Sequence, residues 1–407
     1  MSGMLFSWAS KIRGVQPTTI MKMPNLPASR LRLSLIAVLL PALSCAAFAA
    51  GAKKSYVVYV GTYTGHGSQG IYAYRFDEGT GKLSAVGLAA KTASPSFLVL
   101  SNNKHFLYAV NELENYQGKP SGGVSAFAIQ PSGEKLNFLN ELPSRGEDPA
   151  HLALDRTGKY LLVANYTSGN VAVFPVEKNG GLGEATAFVQ HHGSSVNRDR
   201  QEGPHAHEIV MSPDNRFALI TDLGLDEIFS YPFNAAKGTL GKPHITKSHP
   251  GAGPRHMAFS KDGRFLYVVH ELQSTIVVYS YQPADGELKE LQTISALPAG
   301  FKGKSTAAEI AISPSGKFIY ASNRGSDSIA VFSVDPSKGT LKTVEFDSVQ
   351  GKTPRDFVID PSGRFLLVAN QDSDNIVVYR VNQASGHLTP TGDQTKLSSP
   401  VCLQFLH

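Results

Sequence analysis

The stretch "TPRDFVIDPSGRFLLVANQDSDNIVVY" (353–379) contains three short apolar runs separated by turns rich in Asp, Pro, Ser, Gly and Asn. The same pattern returns without a gap in "DPAHLALDRTGKYLLVANYTSGNVAVF" (148–174), "GPRHMAFSKDGRFLYVVHELQSTIVVY" (253–279) and "TAAEIAISPSGKFIYASNRGSDSIAVF" (306–332). Short runs that are enriched in β-branched residues and bounded by Gly-containing turns predict strands rather than helices. The repeat therefore predicts an all-β protein assembled from copies of one small sheet.

Three more copies complete the repeat. Two begin at "SPSFLVLSNNKHFLYAVNEL" (94–113) and "AHEIVMSPDNRFALITDLG" (206–224), and one is divided between "SPVCLQFL" (399–406) and "SYVVYVGTYTGHGSQGIYAYRF" (55–76). A unit of about 50 residues with four short strands is typical of propeller blades. We predict that residues 50–407 form a single seven-bladed β-propeller with four antiparallel strands per blade, in which the C-terminal strand closes the last blade.

The first 49 residues have a different composition. The apolar run "LSLIAVLLPAL" (33–43) follows two arginines and precedes the small residues "AFA" (47–49), and it is too short for a comfortable membrane span. We predict that residues 1–49 are a secretory signal peptide with an N-terminal extension, cleaved near Ala49/Ala50. The protein would then be exported to the periplasm without stable insertion in the membrane.

Two alternatives remain open for this segment. Translation could begin at Met21 or Met23, and Cys45 could carry a lipid anchor, although "ALSC" lacks the usual Leu three residues before the cysteine. After cleavage Cys402 would be the single remaining cysteine, so the mature chain could form no intrachain disulfide and must be stabilised by its core.

The distribution of charge limits the classes of partner that the sequence supports. The five cations of residues 1–49 account for the whole formal net charge of +5, so the remainder of the chain is formally neutral. A nucleic-acid partner would require a basic patch, which this distribution does not indicate. We expect a monomer whose partner is a small molecule.

Titratable residues recur at the start of the innermost strand, which comes first in each repeat. The residue directly before the apolar run is, in the seven units, Phe97, His151, Glu208, His256, Glu309, Asp356 and Cys402. The residue one position earlier is Ser96, Ala150, His207, Arg255, Ala308, Arg355 and Val401. Inner strands surround the central channel, so these side chains are expected to meet at one of its mouths.

Other groups should reach the same rim. The second strand of each blade runs antiparallel to the first, so it ends at the same mouth of the channel. Arg324, at the end of one second strand, is therefore expected at this mouth as well. The polar connections 190–203 and 298–305 are predicted to form flaps over the mouth. Histidines and arginines outnumber three carboxylates in this set, which indicates an anionic ligand and shifted pKa values.

Several stretches resemble a known family. "YVGTYTG" (59–65), "GPHAHEIVMSPDNRF" (203–217), "GAGPRHMAFS" (251–260) and "TPRDFVIDPSGRFLLVANQ" (353–371) are similar to the lactonase-type seven-bladed propellers. That family includes the propeller form of 6-phosphogluconolactonase and the fungal 3-carboxy-cis,cis-muconate lactonizing enzyme. The resemblance extends over residues 55–407 and implies lactone chemistry at one channel mouth without a metal or other cofactor.

The resemblance and the charged pattern together assign roles. A lactone hydrolase of the 6-phosphogluconolactonase type needs a general base and a cation for the oxyanion. The predicted catalytic residues are Glu309, His207, His151 and Arg255. The predicted substrate-binding residues, which would hold the anionic group of a sugar lactone, are Arg355, His205, His256, Arg200, Glu208 and Arg324.

Three other functions remain open at this stage. The same residues could serve a muconate-type lactonizing cycloisomerase. A metal-dependent lactonase could use His205 and His207 with His151 and Glu309 as ligands. The chain could also be a non-enzymatic exported propeller that binds an anionic ligand. The signal peptide is unusual for the family, because a phosphorylated sugar lactone is a cytosolic metabolite.

Export makes a direct prediction about the mature protein. We expect protein purified from a membrane-free fraction to begin near Ala50 and to carry no lipid, which intact-mass measurement checks. A species that begins at Cys45 with the mass of attached acyl chains would show that the segment is a lipoprotein signal.

Overall fold

The computed structural model describes residues 54–407, and the predicted signal peptide therefore lies outside the described residues. Within residues 54–407, seven antiparallel sheets follow one another around a central channel, which confirms the predicted seven-bladed propeller. This part of the chain contains no helical segment of a length and hydropathy suited to crossing a bilayer.

Each blade has the same order of strands from the channel outwards. The inner strands are β4 (Leu98–Leu100), β10 (Pro149–Leu154), β14 (Ala206–Met211), β19 (Pro254–Phe259), β23 (Thr306–Ile312), β27 (Pro354–Ile359) and β31 (Pro400–Leu406). The second strands are β1 (Ser55–Thr62), β5 (Phe106–Asn111), β11 (Tyr160–Asn165), β15 (Phe217–Asp222), β20 (Phe265–His270), β24 (Phe318–Arg324) and β28 (Phe365–Asn370). The third strands are β2 (Gly70–Asp77), β8 (Gly123–Ile129), β12 (Asn170–Pro175), β16 (Glu227–Asn234), β21 (Thr275–Tyr281), β25 (Ser328–Val334) and β29 (Asn375–Val381).

The outer strands vary most in length. They are β3 (Leu83–Lys91), β9 (Leu136–Pro143), β13 (Ala187–Gln190), β17 (Thr239–Leu240) with β18 (His244–Lys247), β22 (Leu288–Ser295), β26 (Leu341–Ser348) and β30 (Leu388–Lys396). A small hairpin, β6 (Asn115–Tyr116) with β7 (Lys119–Pro120), interrupts the blade that begins with β4. These outer elements alternate exposed and half-buried residues, as expected for strands with one face in solvent.

Both faces of the second and third strands are apolar because each blade is packed between two others. In β11, Leu161 and Val163 contact the cluster formed with the preceding blade, whereas Leu162 and Ala164 contact the following blade. Successive side chains of a strand point to opposite faces, so one apolar run supplies both interfaces. The core is thus a ring of inter-blade layers.

The chain termini of the propeller meet in one sheet. The C-terminal strand β31 pairs with β1 from Val57 opposite Leu406 to Gly61 opposite Cys402, and the sheet continues through β2 and β3. Phe405 packs edge-on against Phe76 at a centroid distance of 5.2 Å. This pairing confirms the predicted closure of the ring. The edges of β1 and β31, which would otherwise be exposed, are hydrogen-bonded to each other.

Because β31 closes the ring, removal of this short C-terminal segment should have a large effect on stability. Deleting residues 399–407 should expose the edge of β1 and its apolar face, so we expect aggregation or loss of a cooperative thermal transition measured by circular dichroism. Deleting the exposed His407 alone should leave the melting temperature unchanged. A 399–407 deletion that melts like the intact protein would contradict the role of β31.

Candidate functional site

Six inner strands contain an irregularity close to their start. In each, the pairing with the second strand skips a position, as between Ala206 and Glu208 in β14. The residues without a register partner at these bulges are Ala150, His207, Arg255, Arg355, Val401 and, in β23, both Ala308 and Glu309. A β-bulge breaks the alternation of a strand and re-aims its side chains. Here it allows two successive residues to point towards the channel.

Three of the bulged residues, Ala150, His207 and Arg355, open onto a cavity at one mouth of the channel. It has a volume of about 170 Å³, and we call it the arginine cavity. Its lining residues are Tyr63, Glu112, Ala150, Tyr166, Arg200, His207, Glu271, Arg324 and Arg355. The predicted residues Arg200, His207, Arg324 and Arg355 are therefore brought together, as expected from the antiparallel order of the strands.

One carboxylate organises the arginines of this cavity. The buried Glu271 is 2.6 Å from Nη2 of Arg200, 2.8 Å from Nη2 of Arg324 and 3.1 Å from Nε of Arg255. Burial acts to raise the Glu271 pKa, but Arg324, Arg255 and Arg200 outweigh it and hold that pKa well below its usual range. Glu271 is consequently ionised at neutral pH and holds three guanidinium groups in a fixed arrangement.

Arg355 has a separate set of partners. Its guanidinium lies over the ring of Tyr63 at 5.2 Å from the centroid, and its Nη2 is 3.7 Å from Oε1 of Glu112. The Tyr63 hydroxyl donates a hydrogen bond of 2.7 Å to the same Glu112 oxygen. Arg355 is thus oriented by stacking and by a long ion pair, which leaves donors free for a ligand.

His207 is the imidazole of the arginine cavity. Burial, followed by the charge of Arg255, lowers its pKa well below the ordinary value, so the ring is neutral at neutral pH. Its Nδ1 atom is buried without a hydrogen-bond partner, and the ring lies edge-on to Tyr166 with a centroid distance of 5.5 Å. A neutral imidazole with an unengaged nitrogen can accept a proton.

A second layer of groups lies beneath this cavity. Arg255 is almost fully buried and donates from Nη1 to the Ala308 carbonyl at 2.6 Å. Burial lowers its pKa to about 10, so it stays charged at neutral pH. His256 Nδ1 is 2.6 Å from Oε2 of Glu309, whose carboxyl group hydrogen-bonds that of Asp356. Burial raises the pKa of Glu309 to about 7.

The predicted catalytic residue Glu309 and the predicted binding residues His256 and Glu208 do not line the arginine cavity. The predicted catalytic residue His151 does not line it either. Glu309 and His256 belong to the layer beneath, whereas His151 and Glu208 line a different cavity at the far side of that layer. The bulge explains the difference, because it sends the extra residue to one side of the layer and its successor to the other.

His205, which was predicted to help hold the substrate anion, has other partners in the structure. His205 is stacked on the Tyr166 ring with a centroid distance of 4.6 Å, and its ring nitrogens face the Tyr166 carbonyl and Glu202. It does not line the arginine cavity, and Tyr166 lies between it and His207. His205 and His207 therefore do not form a shared ligand pair. Among residues 54–407, no group of three or more His, Cys, Asp or Glu side chains is arranged to hold a metal ion.

The source of positive charge differs from the sequence-based expectation. The pKa values of His151, His207 and His256 are all lowered, chiefly by burial, so these rings carry no charge at neutral pH. Four arginines supply the positive charge: Arg200, Arg255, Arg324 and Arg355. The ionised Glu271 and the nearby Glu112 offset it only in part, because two carboxylates stand against four guanidinium groups.

Only one of the two predicted flaps contributes to the cavity. The 190–203 connection supplies Arg200 and is anchored by His191, whose Nδ1 is 2.6 Å from Asp222, and by Gln201, which donates to the Leu223 carbonyl. In the other connection, Pro298–Phe301 packs beside Ile294 and Phe346 on the outer strands. That segment does not line the arginine cavity.

Four lining residues were missed by the sequence analysis: Tyr63, Glu112, Tyr166 and Glu271. They share one position with Arg324, since each is the residue that follows or ends the second strand of its blade. The repeated "NEL" (111–113) and "HEL" (270–272) contain the two glutamates. An alignment of this position across the blades would have found them: it contains Tyr63, Glu112, Tyr166, Leu223, Glu271, Arg324 and Gln371, and a turn alone does not require so many polar or aromatic residues.

The comparisons with known proteins agree with this architecture. The sequence model of a family described as lactonase, 7-bladed β-propeller, matches residues 57–405. The chain is 37% identical to 6-phosphogluconolactonase of Bacillus subtilis over 352 residues, which is 86% of this chain and 99% of that protein. It is 34% identical to 6-phosphogluconolactonase of Formosa agariphila, covering 74% of this chain and 85% of that one. The solved structure of a periplasmic gluconolactonase from Pseudomonas aeruginosa superposes with a TM-score of 0.83 at 36% identity, covering 87% of this chain and 99% of that chain.

The Glu271 ion-pair cluster predicts a specific dependence of stability on pH. Glu271→Gln leaves three guanidinium groups without their anion and should lower the free energy of unfolding by about 3 kcal/mol or more at neutral pH. Because the folded-state pKa of Glu271 is lowered, its stabilisation is present above its ordinary pKa of 4.5 and is lost as the pH falls through the folded value. Denaturant titrations should therefore show the difference between wild type and variant shrinking below about pH 4.5.

Glu134→Gln provides the matched control, because that carboxylate pairs with Arg75 on the surface. It should change the free energy of unfolding by less than about 1 kcal/mol. A Glu271→Gln variant that is as stable as the control at neutral pH would contradict the role assigned to the cluster.

Proposed function

The chain belongs to the lactonase family of seven-bladed β-propellers, and from this we propose that it hydrolyses an anionic sugar lactone in the arginine cavity. The observation that carries the proposal is the juxtaposition of a neutral imidazole with a surplus of guanidinium groups. His207 lines the same cavity as Arg200, Arg324 and Arg355, with Arg255 directly beneath. The names of the Bacillus subtilis, Formosa agariphila and Pseudomonas aeruginosa relatives support the same reaction class.

Hydrolysis of a lactone needs a base and a cation in fixed relative positions. His207 acts as the base: it removes a proton from a water molecule that attacks the lactone carbonyl carbon. The bond between that carbon and the ring oxygen then breaks, and the imidazolium returns the proton to the ring oxygen. The products are a carboxylic acid, which ionises at neutral pH, and an alcohol.

Guanidinium groups stabilise the oxyanion that forms between these two steps. Arg324 and Arg255 are held by Glu271, so their donors are oriented before the substrate arrives. Fixed donors of this kind need no reorganisation as negative charge develops. Burial, followed by the charge of Arg255, lowers the pKa of His207, so the ring is neutral and can accept a proton.

Arg355 and Arg200 are the groups that select an anionic substrate. Both line the arginine cavity, and a guanidinium fork matches a phosphate or carboxylate in a bidentate geometry. The volume of about 170 Å³ is below the usual range for drug-sized ligands, which favours a single sugar ring. We therefore propose a monomeric enzyme that takes one small lactone and requires no cofactor.

The site of action is proposed to be the periplasm. The apolar run at 33–43 and the small residues at 47–49 support export, and the Pseudomonas aeruginosa relative is described as periplasmic. In that compartment we expect the anionic group of the lactone to be a carboxylate, because a phosphorylated sugar lactone is a cytosolic metabolite. The assay below includes plain and phosphorylated lactones for this reason.

His207→Ala tests the mechanism. It should lower kcat/KM for lactone hydrolysis by at least about 100-fold, the size of effect that follows loss of a general base. In the wild type the low pKa of His207 should keep the base form available in mild acid, so the acid limb of the rate profile should lie below pH 6.5. A pH-stat assay on plain and phosphorylated sugar lactones and on a carboxymuconate lactone measures both quantities.

Asn165→Ala is the control for structural damage. Asn165 is buried and donates hydrogen bonds to the Ser144 carbonyl and to Asn170, away from the lining of the cavity. This variant should lose about 1–3 kcal/mol of stability and keep its turnover. Full activity of His207→Ala would exclude the arginine cavity as the active site, and a wild type that opens no lactone in the panel would favour an anion-binding protein.

A further inference from the structure

A second, larger cavity lies at the opposite mouth of the channel. Its volume is about 380 Å³, within the range of small-molecule sites. It is lined by the far ends of the inner strands, such as Leu154 and Met211, and by the turns that follow them, such as Asn102 and Arg156. The arginine cavity is lined by the starts of the same strands, so the buried layer separates the two cavities. We call this second space the lower cavity.

Two ionisable side chains form the floor of the lower cavity, and the proposed lactone chemistry uses neither. His151 and Glu208 are each about 5% exposed, with 3.5 Å between Nε2 of His151 and Oε1 of Glu208. The Ile209 N–H donates to Nδ1 of His151 at 3.4 Å, so the hydrogen-bond pattern assigns the ring proton to Nε2. The Glu208 Oε1 atom is then the acceptor for the imidazole.

The other oxygen of Glu208 has no partner. Oε2 is buried and makes no hydrogen bond within the described chain. Burial, together with the charge of Glu309, raises the pKa of Glu208 well above its usual range, and the Met257 N–H and Arg255 offset this only in part. The raised pKa favours the protonated carboxyl group, and because Oε1 faces the imidazole N–H, we assign the hydroxyl to Oε2. A buried donor without an acceptor costs about 1–3 kcal/mol, which a bound acceptor would recover.

The walls above this floor are mostly apolar and come from several blades. Phe97, Leu154, Met211, Met257 and Phe259 are contributed by four of them. Polar side chains occur towards the outer rim, where Asn102, Arg156 and Gln404 lie. Asp155 and Arg156, the charged residues that follow the end of β10, have opposite signs, and Arg156 donates to the Met211 and Ser212 carbonyls. A charged ligand against the apolar wall would therefore lose its hydration without gaining an ion pair there.

We propose that the lower cavity is a second ligand site, which binds a compact neutral molecule with an apolar body and one carbonyl oxygen. Oε2 of Glu208 is closed to solvent, so the Glu208 side chain must rotate into the cavity before it donates a hydrogen bond to that ligand oxygen. The site is independent of the lactone site. His207 and Glu208 are adjacent in β14, but the bulge directs one to each cavity.

A matched pair of probes tests this proposal. Acetophenone has an aromatic body and one carbonyl oxygen, and α-methylstyrene has the same shape with a methylene group in place of that oxygen. Calorimetric titration should show that the wild type binds acetophenone more tightly by about tenfold, which corresponds to one hydrogen bond of about 1.4 kcal/mol. A crystal soaked with acetophenone should place the ligand oxygen within hydrogen-bond distance of Oε2 of Glu208.

Two substitutions of Glu208 distinguish recognition of the ligand oxygen by a hydrogen bond from non-specific filling of the lower cavity. Glu208→Gln keeps the size and a donor, so acetophenone affinity should stay within about threefold of wild type. Glu208→Leu removes the donor, so the preference for acetophenone over α-methylstyrene should disappear while α-methylstyrene still binds. Arg355→Ala, which alters the other cavity, should leave both affinities unchanged.

Three results would overturn the proposal. The first is a soaked crystal in which the lower cavity holds only ordered water. The second is an equal loss of affinity for both probes in Glu208→Leu. The third is loss of binding in Arg355→Ala, which would place the probes in the arginine cavity. None of these readouts depends on lactone hydrolysis, and the crystal soak needs no variant, so the proposal can fail while the proposed function stands.

Discussion

Pairing of the C-terminal strand β31 with β1 is the contact on which the architecture depends. Seven sheets that pack only against their neighbours form an open arc unless the two ends are joined. The chain joins them by main-chain hydrogen bonds within one sheet, from Val57 opposite Leu406 to Gly61 opposite Cys402. The channel, and with it both cavities, exists only because this sheet is completed.

The β-bulges of the inner strands turn a closed ring into a chemical site. A regular strand would direct successive side chains into the two neighbouring inter-blade layers, where charged groups could not be accommodated. The extra residue in six of the inner strands frees side chains such as His207 and Arg355 to enter the channel. It also places Glu208 on the other side of the buried layer, so one structural device creates two different environments from adjacent residues.

Charge compensation determines the chemistry that each side of the layer can support. On the arginine side, Glu271 makes it possible to bury Arg255 and to fix Arg200 and Arg324, and it remains ionised because they surround it. Burial, followed by the charge of Arg255, lowers the pKa of His207 and keeps its ring neutral. Beneath them, the carboxyl groups of Glu309 and Asp356 share a hydrogen bond and have raised pKa values, because burial is not fully offset by Arg255. Positive charge therefore faces the arginine cavity, and carboxyl groups with raised pKa values face the interior.

The sequence by itself determined the fold. Seven copies of a period-two pattern, with both faces apolar and a divided final copy, are satisfied only by a closed ring of sheets, so blade number and closure followed from stretches such as 353–379 and 399–406. It also identified the strand starts that carry His207, Arg255 and Arg355, because titratable residues are costly in an apolar strand and so stand out.

Only the tertiary structure decided which of these groups share a cavity. Alternation along a strand predicts that His207 and Glu208 point in different directions, but it does not reveal a bulge, so the two cavities that these residues line were not predictable from their order in the chain. Glu271 and Glu112 were overlooked because a glutamate after a strand is ordinary in a turn, and its role arises from arginines supplied by other blades. Local patterns specify strands, whereas the pKa values and partners of buried charges depend on contacts between residues far apart in sequence.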